Sequence, residues 1–218
     1  MTPAPSRRGA AVSMGTPSRP GHAFPTGARL PDRGTRQNEP VNPIEPGAEI
    51  HSTDPFATPE QDKSPVRRLR GRLASTVTLW SAPGPAGLTV SSTLVADGEP
   101  GRVLGLIDEE SDLWDAVRQA GRFAVTPLGD ADRQLADRFA GLMPAPGGPF
   151  AAGEWTRTAY GPVPANTGTW AGCRLDGWRP FGWALLVEGT IETVLVAAPG
   201  TDAAPLVHFR GRYQRLEI

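Results

Sequence analysis

Lysine is almost missing from this chain of 218 residues, and the single one, Lys63, lies near the end of a proline-rich N-terminal stretch. Everything after it therefore lacks a P-loop lysine, a Schiff-base lysine and a lysine general base. Histidine is nearly as scarce: beyond residue 51 there is only His208, too few for a histidine-based metal site. No G-x-S-x-G elbow occurs, so the Ser–His–Asp hydrolases are excluded as well. The one cysteine, Cys173, rules out an intramolecular disulfide and a cysteine metal cluster. It fits a reducing, cytoplasmic setting, and its plainest role is that of an inert core residue. No apolar run approaches the roughly 18 residues that span a bilayer, and the arginines near Met1 are followed by no secretory apolar core.

Aromatic residues are scarce where proline is dense, with only Phe24 and Phe56. Residues 1–65 hold twelve of the 24 prolines, no Trp and no Tyr, with seven basic and seven acidic residues. Such a segment has too little apolar surface to offset the entropy of ordering its backbone, and a disordered leader is expected there. Residues 66–218 contain all six tryptophans and form the expected domain. Its near-neutral charge provides no field for nucleic acid.

The pattern from Leu73 onward is mostly β. Leu73–Trp80 alternates and ends at Pro83-Gly84-Pro85, and Gly87–Val95 reads as its hairpin partner with a hydroxyl-bearing face. Arg102–Ile107 is apolar on both faces and reads as a buried strand. The period then switches. Ser111 is a candidate N-cap, Asp112 and Asp115 suit a first turn, and Gly121 closes a helix as C′. A short strand over Phe123–Thr126 precedes a second helix, from an Asp130 cap to Gly141. Leu142–Thr167 is rich in proline and glycine and reads as a long loop. Strands are expected again at Trp170–Leu175, Gly182–Glu188, Thr190–Val196, Leu206–Phe209 and Arg212–Leu216. Strand and helix do not alternate regularly, which favours a mainly β barrel with two inserted helices.

The stretch Gly87-Leu88-Thr89-Val90-Ser91-Ser92 carries the chemistry. Small residues let a flat ring approach the backbone, while hydroxyls and peptide N–H groups bind a phosphate or a heteroaromatic edge. The plain alternative is a half-exposed strand.

Taken with Pro100-Gly101-Arg102-Val103-Leu104, Ser111-Asp112-Leu113-Trp114, Gly121 to Leu128 (GRFAVTPL), Leu135 to Gly141 (LADRFAG) and Arg210 to Leu216 (RGRYQRL), this ordered set resembles the flavin reductase-like family of FMN-binding split barrels over nearly all of 66–218. The resemblance implies a homodimeric split β-barrel that binds FMN, less often FAD, noncovalently. It also implies reduction of that flavin by NAD(P)H and delivery to a separate flavin-dependent monooxygenase. Carried over by position, Thr89, Val90, Ser91 and Ser92 would meet the flavin, Ser111 its phosphate or ribityl chain, and Thr126 would take the place of a strand Asn. His208, Arg210 and Tyr213 fall on the nicotinamide side. Arg210 and Arg212 suit a pyrophosphate or a plain outward-facing strand equally. Trp155, Tyr160 and Trp170 are candidates for a lid over the flavin or for burial at the dimer seam. The chain departs from the family pattern where Thr126 replaces Asn, where Leu113 replaces a hydroxyl, and in lacking a G-D-H segment near Gly182-Trp183. Such an enzyme needs no acid–base triad, because the cofactor performs the chemistry. The alternative reading is a flavin-binding barrel without catalysis.

Overall fold

The hydrophobic alternation of the domain is realised as twelve strands and three helices in a computed structural model that describes residues 64–201 and 203–216. The expectation of a disordered leader therefore falls on residues outside those described, apart from Ser64 and Pro65. These two open a helix instead. Ser64 caps α1 (Pro65–Gly71) through its side chain, and Pro65 takes the first turn, where its missing N–H costs nothing.

The predicted strand over Leu73–Trp80 is split in two. β1 (Ser75–Thr76) joins a small sheet, and β2 (Thr78–Ala82) enters the main one. Val77, between them, bonds through its N–H to Leu206 O and through its carbonyl to Leu128 N. All of β2 is buried, on both faces, because layers cover it from inside and outside.

The second expected strand is also divided, and this break makes the fold. β3 (Ala86–Val90) is a hairpin partner of β2, whereas β4 (Leu94–Ala96) pairs with β5 (Arg102–Ile107). The main sheet runs β3-β2-β6-β9-β10-β5-β4, where β6 is Arg122–Pro127, β9 Trp170–Phe181 and β10 Ala184–Leu195. The chain thus passes from one end of the sheet to the other within Ser91-Ser92-Thr93, and the sheet must curl into a barrel. β9 and β10 are longer than the alternation predicts. Bulges at Glu188/Gly189 and Ile191/Thr193 interrupt the side-chain period, so one strand reads as two.

The barrel interior is filled across its diameter by aromatic–glycine pairs. Trp80 stacks on Phe123 with ring centroids 4.7 Å apart. A Cβ added at Gly105 would lie 2.7 Å from the Trp80 ring, and one at Gly189 would lie 2.8 Å from the Phe123 ring. α2 (Asp112–Ala120) closes one side, with Leu113, Trp114 and Val117 buried in this core. Its ends are as expected, an N-cap at Ser111 and a left-handed Gly121.

A second apolar layer lies outside β2. α3 (Arg133–Phe139) follows a 3-10 turn over Asp130–Asp132 and contributes Ala136 and Phe139. The hairpin of β11 (Leu206–Phe209) and β12 (Arg212–Arg215) contributes Leu206. Within the predicted loop, a hairpin forms from β7 (Trp155–Thr158) and β8 (Gly161–Pro164) and covers β2 through Ser81 Oγ, which donates to Pro162 O at 2.7 Å.

Candidate functional site

β3 lies at one end of the main sheet, so one row of its peptide groups is not taken by a ladder. The β2–β3 turn at Pro83-Gly84-Pro85 sets its register, with Leu79 opposite Thr89 and Trp80 opposite Leu88. Gly87 must be glycine. A Cβ there would lie 2.7 Å from Phe139 Cε1 and 3.0 Å from Phe150 Cζ. The flat ring that rests on this part of the strand is thus a phenyl ring of the chain itself. Phe139, Phe150 and Trp155 form a wall of edge-on and tilted contacts, with centroids 4.7 to 5.6 Å apart.

The candidate hydroxyls divide by what they already bond. Thr89 Oγ1 donates to Ala136 O at 2.8 Å and ties β3 to α3. Val90 is 3% exposed, and its carbonyl accepts from Thr78 Oγ1. Ser91 is exposed at the end of β3. Ser92 Oγ accepts from Leu106 N at 2.9 Å and donates to Leu106 O at 3.2 Å, bridging the open edges of β3 and β5. Thr93, which sequence reasoning did not single out, accepts from Trp80 Nε1 at 2.9 Å and bonds Thr78 Oγ1 at 2.7 Å. Thr126 faces Leu79 across the β2–β6 ladder and is 2% exposed, in the same cross-strand row as Thr89. The structure therefore sets Thr89 and Thr126 in one cross-strand row on either side of Leu79, with Thr89 tied to α3, and leaves Ser91 as the open hydroxyl of the segment.

Ser111 stands apart, at the start of α2. Its Oγ donates to Asp108 O at 2.7 Å and accepts from Trp114 N at 3.2 Å, so the hydroxyl is spent on its own turn and helix. Around it are Asp108, Glu109, Glu110, Asp112 and Asp115, a crowding of carboxylates that a search for hydroxyls overlooks. A cleft of about 350 Å³ runs between the β2–β3 turn and α2, bordered by Gly84, Gly87, Asp112, Asp115, Gln119 and Pro149.

The C-terminal candidates are set by a tight hairpin. Arg210 and Gly211, with φ of 53° and 80°, form its two-residue turn, the mirror-image geometry that suits a twisted hairpin. Arg210 N donates to Gly71 O at 2.7 Å, and its guanidinium lies 5.3 Å from the Phe209 ring centroid. His208 and Tyr213 are cross-strand partners, edge to face at 6.0 Å. Burial and then the Asp137 carboxylate push the Tyr213 phenol far above its ordinary range, so it remains a neutral donor. Tyr213 packs on the same outer layer as Phe139 and Leu206.

The remaining candidates have partners within the chain. The Tyr160 ring sits on Gly172, and its hydroxyl donates to Glu192 at 3.2 Å. Trp170 packs beside it at 6.4 Å. Cys173 is fully buried, and burial together with the Glu192 charge pushes its thiol up to about 12, which keeps it unreactive. Among the described residues no cluster of His, Cys, Asp or Glu could hold a metal ion.

Comparison with known proteins decides the family. The flavin reductase like domain matches residues 70–217. An FMN reductase (NADH), RutF 1 of Methylorubrum extorquens (strain PA1), is 32% identical over 159 residues, covering 71% of this chain and 77% of the relative. The chain belongs to the flavin reductase-like family. Another family relative, the reductase subunit HsaB of a flavin-dependent monooxygenase from Mycobacterium tuberculosis (strain CDC 1551 / Oshkosh), is 27% identical over 61% of this chain and 70% of its own. The family fold is equally plain in the NADH:FAD oxidoreductase SgcE6 of Streptomyces globisporus C-1027. That structure superposes with a TM-score of 0.64 at 21% identity, over 75% of this chain and 98% of the other.

Measured against a flavin, the residues present fit one part and not another. The open edge of β3, the exposed Ser91 and the adjoining cleft suit the ring, whose rim carries both donors and acceptors. The Ser111 turn does not suit the phosphate, because its hydroxyl is committed and its surroundings are anionic.

Proposed function

We propose that this chain is a nicotinamide-driven flavin reductase which holds the flavin ring along the β3 edge and the Ser91–Thr93 crossover. One observation carries the reading: in a chain of this family, the strand end left free of ladder bonds finishes in an exposed hydroxyl. Bound flavin would supply the redox chemistry by accepting a hydride from the reduced nicotinamide, with one further proton taken from solvent. The side chains then serve to bind and orient. Ser91 and the free peptide groups of β3 set the ring edge. Thr89 fixes α3, and so the aromatic wall, against the strand. The remaining candidates, the buried Val90 and the hydroxyls of Ser92 and Thr126, act by keeping that strand and the barrel seam in place.

His208, Arg210 and Tyr213 border the nicotinamide side. Segments 64–82 and 203–216 hold seven arginines and no acidic residue, and the bond between Arg210 N and Gly71 O brings them together. That surface draws in the phosphates of NADH or NADPH. The relatives' names favour NADH as donor, with FMN or FAD as acceptor. A homodimer is supported by the exposed Trp178, Phe181 and Trp183 around the β9–β10 turn and by Leu94 and Val95 on β4. Release of reduced flavin to a separate monooxygenase is supported by the relative HsaB, itself named as a reductase subunit of a flavin-dependent monooxygenase. A cytoplasmic location accords with use of the nicotinamide pool; among the described residues, no helix is long and apolar enough to cross a membrane.

A second reading, a flavin-binding barrel without turnover, is favoured by the bonds that already occupy Thr89 and Ser92. Incubating the full chain with NADH or NADPH and each flavin, and following loss of the reduced-nicotinamide absorbance, separates the two. Turnover that needs both partners is expected. A yellow protein without turnover would favour the second reading, and no turnover with any pair would sink the first.

A further inference from the structure

Flavins differ at the end remote from the ring. FMN ends in a phosphate that is largely dianionic at neutral pH, FAD continues through a pyrophosphate, and riboflavin ends in a hydroxyl. The electrostatics of α2 bear on this difference.

Asp108, Glu109, Glu110, Asp112 and Asp115 fall within eight consecutive residues. Of the five, Asp115 has an ion-pair partner, Arg118 at 3.0 Å. Asp108 Oδ1 accepts from Glu110 N at 3.0 Å, which closes the turn. The Ser111 hydroxyl proton is given to Asp108 O, and the Trp114 N–H is turned inward to Ser111. A helix N-terminus attracts an anion through free N–H groups and its dipole. Here the first turn already carries Asp112 and Asp115, which use that attraction themselves. The adjoining cleft shares Asp112 and Asp115 with this turn, and no Lys or Arg lines its wall to offset them.

We infer that this chain discriminates against phosphate-bearing flavins and takes riboflavin in preference to FMN or FAD. The inference rests on the flavin reading of β3 given above: the Ser92–Leu106 bonds set the crossover beside the end of β5, two residues before the carboxylate-bearing turn that starts at Asp108, and the ribityl chain is taken to run along that turn. The ring is held by uncharged groups, the peptide edge and Ser91, which act on all three flavins alike. The tail meets the carboxylates, which penalise only the charged ones. Because like-charge repulsion is screened by salt, the discrimination weakens as ionic strength rises.

Riboflavin, FMN and FAD are to be titrated with the full chain by flavin fluorescence, at about 0.02 M and about 0.5 M salt. The inference expects riboflavin to bind roughly tenfold or more tightly than FMN at low salt, one decade being the smallest gap worth the name. It also expects FMN binding to strengthen with salt while riboflavin binding stays level. The paired substitution Glu109→Lys and Glu110→Lys, at exposed turn positions outside any helix or strand, should remove the preference without altering riboflavin affinity. The milder Glu109→Gln and Glu110→Gln, which adds no new attraction, should narrow it in the same direction. FMN binding as tightly as riboflavin, or weakening with salt, overturns the inference while the flavin reading stands. Failure of all three flavins to bind overturns the flavin reading as well.

Discussion

Ser92 shows how much a single hydroxyl does in this barrel. Its Oγ meets both backbone groups of Leu106, replacing the ladder that β3 and β5 lack. Ser92→Ala leaves a part-buried N–H and carbonyl without these partners, a loss of about 1–3 kcal/mol. The expected outcome is a lower urea midpoint with an unchanged slope, and faster hydrogen exchange at the Leu106 amide. An unchanged midpoint would mean that water substitutes freely at the seam. Thr89 and Thr126 repeat the lesson more quietly: their place in the family pattern marks both as flavin contacts, yet they lie in one buried or part-buried row on either side of Leu79.

At the level of elements, packing between strands depends on where glycine is placed. Gly105 on β5 faces the Trp80 ring of β2 across the interior, with no room for a methyl group. Gly105→Ala forces the stacked pair Trp80–Phe123 to move, at a cost of about 1–3 kcal/mol. For a domain of this size, that is a fall of roughly 2–4 °C in Tm per kcal/mol, measurable by calorimetry. The elements with strong local signals were legible in the sequence. α2 was readable because Ser111 and Gly121 mark both ends chemically. The break at Ser91–Thr93 was not, since alternation continues through it while the chain changes partners, and partner choice is a long-range property. The β7–β8 hairpin was hidden by Pro162 and Pro164, which suit the edge strand they occupy. α1 escaped notice although Ser64-Pro65 is a good helix start, because the helix buries none of its side chains. At the candidate site the hydroxyl motif stood out, but how its oxygens are spent depends on Ala136 and Leu106, 47 and 14 residues away.

For the molecule as a whole, the buried thiol links stability to pH. Cys173 has its pKa raised from 9.0 to about 12, mainly by burial. Between those values the folded chain keeps a proton that the unfolded chain releases, so unfolding gains as pH rises. The contribution is therefore complete below pH 9 and gone above about 12. Thermal midpoints should fall as pH rises from about 8 to about 11, and less steeply in Cys173→Ala. Equal slopes in the two proteins would remove Cys173 as a source of the effect. Tyr213 acts in the same direction at still higher pH.

The bond between Arg210 N and Gly71 O, 2.7 Å long, places an early helix against the last hairpin. The domain is thus almost circular in its connectivity: the polypeptide leaves where it arrived. New ends could be cut at Gly182-Trp183, where the long hairpin turns, and the old ones spliced by a short flexible linker, with every strand keeping its neighbours. Such a rearranged chain would free the arginine-bearing surface of any preceding segment, and let its attraction for nucleotides be measured alone.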